Sequence, residues 1–205
     1  MGFLDILLGR TRAAPPDLDR LFALPSAAIT LRAATGFTPT GRGSVCFTTV
    51  EGAAFARIRQ DVTELLEADG QRAGAPVEFS RDTYGYSWLL SRRGPDDLTS
   101  LVGDLHAVNT ALEGTGFGPQ LLCSLVGFER IEDAGENEHG QGQGQAQAFA
   151  LVYLYKRGTF YPFAPLPGDR RDNALELRIR AVLSDDLRFE DDLTRWFPVW
   201  GAPGL

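Results

Sequence analysis

Residues 148–167 read AFALVYLYKRGTFYPFAPLP, and the alternation within them decides the fold. Phe149, Leu151, Tyr153 and Tyr155 fall on one side of an extended chain. Ala150, Val152 and Leu154 fall on the other, with Lys156 at the end. A strand that is apolar on both sides is covered front and back rather than wetted along one face. Lys156-Arg157-Gly158 breaks the run, and residues 159–167 then set Phe160, Tyr161 and Phe163 among prolines. The stretch reads as the central strand of one sheet, running into a rigid aromatic corner.

Working outward, residues 121–131 supply a second apolar strand. Between the two lies EDAGENEHGQGQGQAQ, residues 132–147, acidic and then Gly/Gln-repeating. Nothing in it can be buried, so it reads as a disordered insert at the tip of an antiparallel hairpin. Upstream, Leu98, Leu101, Val102, Leu105, Val108 and Leu112 recur at helical spacing and predict a helix over 98–112, opened by Pro95-Asp96-Asp97. Phe55, Ile58, Val62, Leu65 and Leu66 predict another over 55–68, and Leu175, Ile179, Val182 and Leu183 a third over 171–183.

Strands are expected at 26–31, 44–50, 77–79 and 84–92. In the last of these Tyr84, Tyr86, Trp88 and Leu90 line one side, against Gly85, Ser87 and Ser91. Residues 17–24 read as a short helix capped by Asp17 and stopped by Pro25. The pattern is α+β: a mainly antiparallel sheet with helices packed on one side, in a single domain over 17–205. Ahead of it, residues 1–16 form an amphipathic appendage closed by the stiff spacer Ala13-Ala14-Pro15-Pro16. Its apolar face is Phe3, Leu4, Ile6, Leu7 and Leu8, with Arg10 and Arg12 at its end. Such a unit lies in a bilayer interface, docks on a partner, or folds back onto its own domain.

Composition narrows the functional classes. A net charge of −7 argues against broad nucleic-acid binding, which needs a Lys/Arg surplus on some face. The apolar start is too short for a secretory signal, and no segment approaches membrane-span length, so a cytoplasmic protein is expected. Cys46 and Cys123, both inside apolar strand-like runs, read as buried, reduced thiols.

The search for catalytic groups returns little. His139 falls in the insert. His106 borders the apolar stripe of its helix, so a local hydrogen bond competes there with a His106–Cys123 dyad. Lys156, the sole lysine, reads as a solvated strand end, and no partner group for chemistry stands near it in sequence. Histidines and cysteines are too scattered for a zinc site. GTGFG at 114–118 follows a helix and precedes a strand, the reverse of a dinucleotide-binding context. No catalytic residue, metal or cofactor is expected.

The tail RWFPVWGAPGL, residues 195–205, gathers Trp196, Phe197 and Trp200 between prolines. Exposed, these rings make a hot-spot patch for a protein partner; buried, they lock the terminus onto the sheet.

A set of blocks in fixed order carries a family resemblance. They are MGFLDILLGR at 1–10, LDRLFALPSAA at 18–28, GSVCF at 43–47, DLHAVNT at 104–110, LLCSLV at 121–126, LVYLYKRGTFYPFAPLPG at 151–168, RRDNALELRIRA at 170–181 and the closing RWFPVWGAPGL. Together they resemble the PspA-associated protein PspAB family of actinobacteria and some archaea, over almost the whole chain. The resemblance implies a non-enzymatic accessory protein of the phage-shock-type envelope stress response. It would act with PspA, a coiled-coil protein that binds and remodels membranes. No small-molecule substrate is expected, and the family supplies no binding residues to transfer.

Overall fold

The computed structural model describes residues 16–49, 52–67, 77–131 and 146–205. The appendage residues Phe3, Leu4, Ile6, Leu7 and Leu8 and the insert over 132–145 lie outside them.

Two of the predicted elements appear with the expected bounds. Helix α3 is Leu98–Leu112, and strand β4 is Leu121–Ile131. The α3 stripe buries Leu101, Val102, Leu105 and Val108 completely, and Asp97 caps it by accepting from the Ser100 amide at 3.2 Å. Helix α2 is Ala53–Glu67, with Val62 and Leu66 buried, and α4 is Asn173–Val182, capped by Asp172. The other strands are β1 (Thr38–Thr48), β2 (Glu78–Arg81), β3 (Tyr86–Arg92), β5 (Ala146–Leu154) and β6 (Thr159–Phe163).

The stretch at 26–31 is a correction. It belongs to helix α1, Leu24–Thr35, which follows a 3-10 turn over Leu18–Ala23. Pro25 reads as a helix stop but sits in the first turn of α1, where its missing N–H removes no helical bond. Asp17 makes no side-chain cap; its carboxylate accepts from Arg20 Nε at 2.7 Å instead.

One six-stranded sheet runs in the order β2-β3-β1-β4-β5-β6, antiparallel at every step. The helices lie on one face of it, which makes the domain α+β. The expected central strand is β5, one place in from the edge; β1 and β4 hold the middle. Its two apolar sides come from cover, not from central position. Phe149, Leu151 and Tyr153 join the helix-side core, while Ala150 and Val152 join a second cluster on the opposite face.

The aromatic corner is also corrected. Residues 159–163 are a strand that folds straight back on β5, in register from Leu154↔Thr159 to Ala150↔Phe163. Gly158, at φ +64°, makes that reversal, and its amide and that of Arg157 both donate to Leu154 O, at 2.9 and 3.1 Å. Pro162 is tolerated because β6 is the outermost full strand. Beyond it, Phe160 and Phe189 form an isolated parallel bridge. β3, whose pattern reads as lined by apolar side chains on one side only, is instead buried on both: Trp88 joins the second cluster, while Leu89 and the buried Ser91 face the helices.

Ala146 and Gln147, read as part of the insert, belong to the ladder opposite Ile131 and Arg130. Arg130 Nη2 donates to Gln147 Oε1 at 2.8 Å, which extends the hairpin toward its tip.

Candidate functional site

The second apolar cluster sits on the face the helices leave bare. It contains Cys46, Trp88, Cys123, Leu125, Ala150, Val152, Tyr161 and Phe163 from the sheet, and Trp196 and Ala202 from the tail. The C-terminus therefore works as a clasp laid across the back of the sheet.

Its first anchor is Trp196, 5% exposed, whose ring stacks on Tyr161 at 6.1 Å between centroids. The indole Nε1 donates to Glu190 O at 3.0 Å, and the Arg180 guanidinium lies over the ring at 5.9 Å. Arg171 Nη1 donates to Trp196 O, and Tyr161 OH donates to Phe197 O at 2.8 Å. The second anchor is Trp200, half-buried and edge-on to Phe163 at 4.8 Å.

The closing residues then reach the middle of the sheet. Gly127 and Ala150 are cross-strand partners, as are Ala150 and Phe163, so these three form one row on the back face. A Cβ built on Gly127 would stand 2.3 Å from Gly204 O and 2.7 Å from Thr40 Oγ1. Only glycine lets the tail backbone pass this close.

Two carboxylates hold the clasp from below. Glu176, 2% exposed, accepts from Arg171 Nε and from the Ala164 amide, both at 2.9 Å. Glu190, also 2% exposed, accepts from Arg157, from Thr159 Oγ1 at 2.9 Å and from the Asp192 amide at 3.3 Å. Burial pushes the Glu190 carboxyl up, but these donors outweigh it and hold the group below its ordinary value of 4.5. A carboxylate depressed in the folded state contributes stability above its unfolded pKa and loses it as pH falls through the folded value. Acidification below about pH 4.5 is therefore expected to loosen the β5–β6 turn and Trp196 together. Tryptophan emission followed against pH checks this: Glu190→Gln should be less stable at neutral pH and show a flatter acid transition. Equal slopes in the two proteins would count against it.

The sequence-derived site residues separate in space. Of the tail aromatics, Trp196 is interior, Trp200 is half-buried, and Phe197 stands 58% exposed. His106 lies on the helix side, 3.3 Å from Asp19 Oδ1, with the Phe22 ring at 4.9 Å. Cys123 lies on the opposite face of the sheet, and Lys156 Nζ donates to Pro119 O at 2.8 Å at the hairpin end. The three do not converge. An open groove between α2 and β2 is lined by Ala56, Arg59, Gln60, Thr63, Glu64 and Phe79, with the Arg59 guanidinium 4.5 Å above the Phe79 ring, and it includes none of them. Among the described residues, no three His, Cys, Asp or Glu side chains are grouped as a metal site, and no helix is long and apolar enough to cross a membrane.

Fold and clasp together define an antiparallel α+β domain whose open sheet face is closed by its own C-terminus. The chain belongs to the family described as PspA associated protein B, whose model matches residues 1–204. The family is thus a PspA-associated one, as the sequence resemblance implies. No curated protein and no solved structure matches the chain.

Proposed function

We propose that this chain is a non-enzymatic adaptor for a PspA-type coiled-coil protein that remodels membranes during envelope stress. It works in the cytoplasm, peripherally on the inner face of the cell membrane. The family match over residues 1–204 supports the reading, since the family's description names an association with PspA.

The surface fits that role. Glu176, Glu190, Asp104 and Asn109 are buried polar groups with structural hydrogen bonds, engaged in holding elements together. Exposed apolar side chains remain on the outside: Phe197 on the clasp, Ile29 on α1 and Leu177 on α4. A coiled-coil partner presents helix faces, which apolar side chains on a rigid surface can grip. Phe197 is the sharpest test, because Trp196 and Trp200 on either side fix its backbone while its ring stays free.

Mixing the full chain with the cognate PspA-type protein at micromolar concentration should give a stable complex by co-purification. Phe197→Ala should weaken it about thirtyfold, the roughly 2 kcal/mol that marks a hot-spot truncation. No association of the wild-type chain would defeat the reading, while full affinity of the variant would move the contact elsewhere.

The amphipathic segment supports a second contribution, direct contact with lipid through Phe3, Leu4, Ile6, Leu7 and Leu8, with Arg10 and Arg12 toward anionic headgroups. Flotation of the full chain with anionic liposomes, compared with a chain lacking residues 1–12, separates the two; equal behaviour removes the lipid contact.

A further inference from the structure

Cys46 and Cys123 are direct cross-strand partners in the β1–β4 ladder, at the middle of the sheet. Both side chains belong to the back-face cluster, both are buried, and both are free thiols. Facing residues on antiparallel strands have Cα atoms about 4.5–5.5 Å apart, inside the range of about 4.4–6.8 Å that a disulfide spans. The register also slips between Cys46↔Cys123 and Phe47↔Leu121, so β4 carries an extra residue beside the pair. A bulge relaxes the ladder locally and increases its twist, which gives the two sulfurs room to reach bonding geometry.

We propose that Cys46 and Cys123 form an oxidisable dithiol, a redox modification site that closes to an intrachain disulfide with a low-molecular-weight disulfide as oxidant. Cys123 is the attacking sulfur, because it is the more exposed, at 7% against 3% for Cys46. It displaces one thiol from the oxidant, RSSR, to give a mixed disulfide. Cys46 then displaces the second thiol, so the pair loses two hydrogens and two electrons and the oxidant leaves as two RSH.

The folded state restrains this reaction. The neighbouring Cys123 side chain, burial and the Asp82 carboxylate hold the Cys46 thiol protonated. Exchange on the folded chain is therefore slow, and closure needs an oxidising disulfide poise. Once closed, the bond ties the two middle strands, the ones least able to separate without unfolding the sheet.

The test uses the full native chain with oxidised glutathione. Both free thiols should be lost without added mass and without dimer on non-reducing gels, and dithiothreitol should restore them. Cys46→Ser should stop at the mixed disulfide, gaining one glutathione, while Cys123→Ser should gain none. Circular dichroism confirms that each variant is folded. Should either variant fail to fold, the wild-type readout decides alone. Two glutathione adducts per chain, a covalent dimer, or intact thiols in the native chain when the urea-unfolded chain reacts would each overturn the proposal.

Discussion

Replacing Asp104 with alanine is expected to lower the stability of the domain by about 3–5 kcal/mol, the cost of leaving a buried charge without its partner. Asp104 is on α3, and its carboxylate receives a fork from the end of β3: Arg93 Nε at 2.9 Å to Oδ2 and Nη2 at 2.7 Å to Oδ1. Ser91 Oγ adds a third bond at 2.5 Å. The side chains of Arg93 and Asp104 are 3% and 6% exposed, so water cannot replace the missing carboxylate. For a chain of this length the loss appears as a fall in Tm of about 6–20 °C, with the denaturant slope unchanged. The doubly apolar variant, Arg93→Met with Asp104→Leu, should recover most of it, because desolvating the ion pair consumes much of what the pair returns. A fall below about 2 °C for Asp104→Ala would show that the charge is not truly enclosed.

Asp104 also marks where periodicity carries information and where it stops. It stands three residues after Leu101 and four before Val108, so it lies on the apolar stripe that predicts α3. A carboxylate on such a stripe signals a buried pair, but its partner comes from a strand end no spacing rule connects to it. The α+β class, α3 and β4 were legible because each is a long element with one clear period. The stretch at 26–31 was not: SAAITL is apolar enough for a strand, and the residue that decides it is Pro25, whose effect depends on being inside the first turn or past the last.

The double-sided character of β5 reads as cover, and the structure supplies it; the central position inferred from the same pattern is what fails, since β5 lies one place in from the edge. Alternation reports that a face is buried and is silent about what buries it. Here the cover is the tail, joined through side chains far apart in sequence: Tyr161 with Trp196, Phe163 with Trp200, Gly127 with Gly204. Gly127 offered one signal, since an isolated glycine within a strand pattern often marks a close backbone approach. Glu190 and Arg171 offered none, because charged residues near a chain end read as solvated until their burial is seen.

Trp196→Ala is expected to cost about 3–5 kcal/mol, the range for deleting a large buried aromatic, and to release the clasp from the sheet. Three contacts go at once: the stack on Tyr161, the indole bond to Glu190 O and the overlap with the Arg180 guanidinium. The carbonyls that Arg171 and Tyr161 hold survive the substitution, so these two bonds still tether the backbone of the tail. Trp200→Ala should cost less, because that ring is already half-buried and uses only the edge of Phe163. Phe197→Ala should be neutral within about 0.5 kcal/mol, as for a side chain that faces solvent. Thermal melts of the three variants thus rank Trp196 above Trp200 above Phe197, while affinity for the partner isolates Phe197. If Phe197→Ala were as destabilising as Trp196→Ala, the tail would be one packed unit with no face to offer, and the proposed contact would have to move to the helix layer.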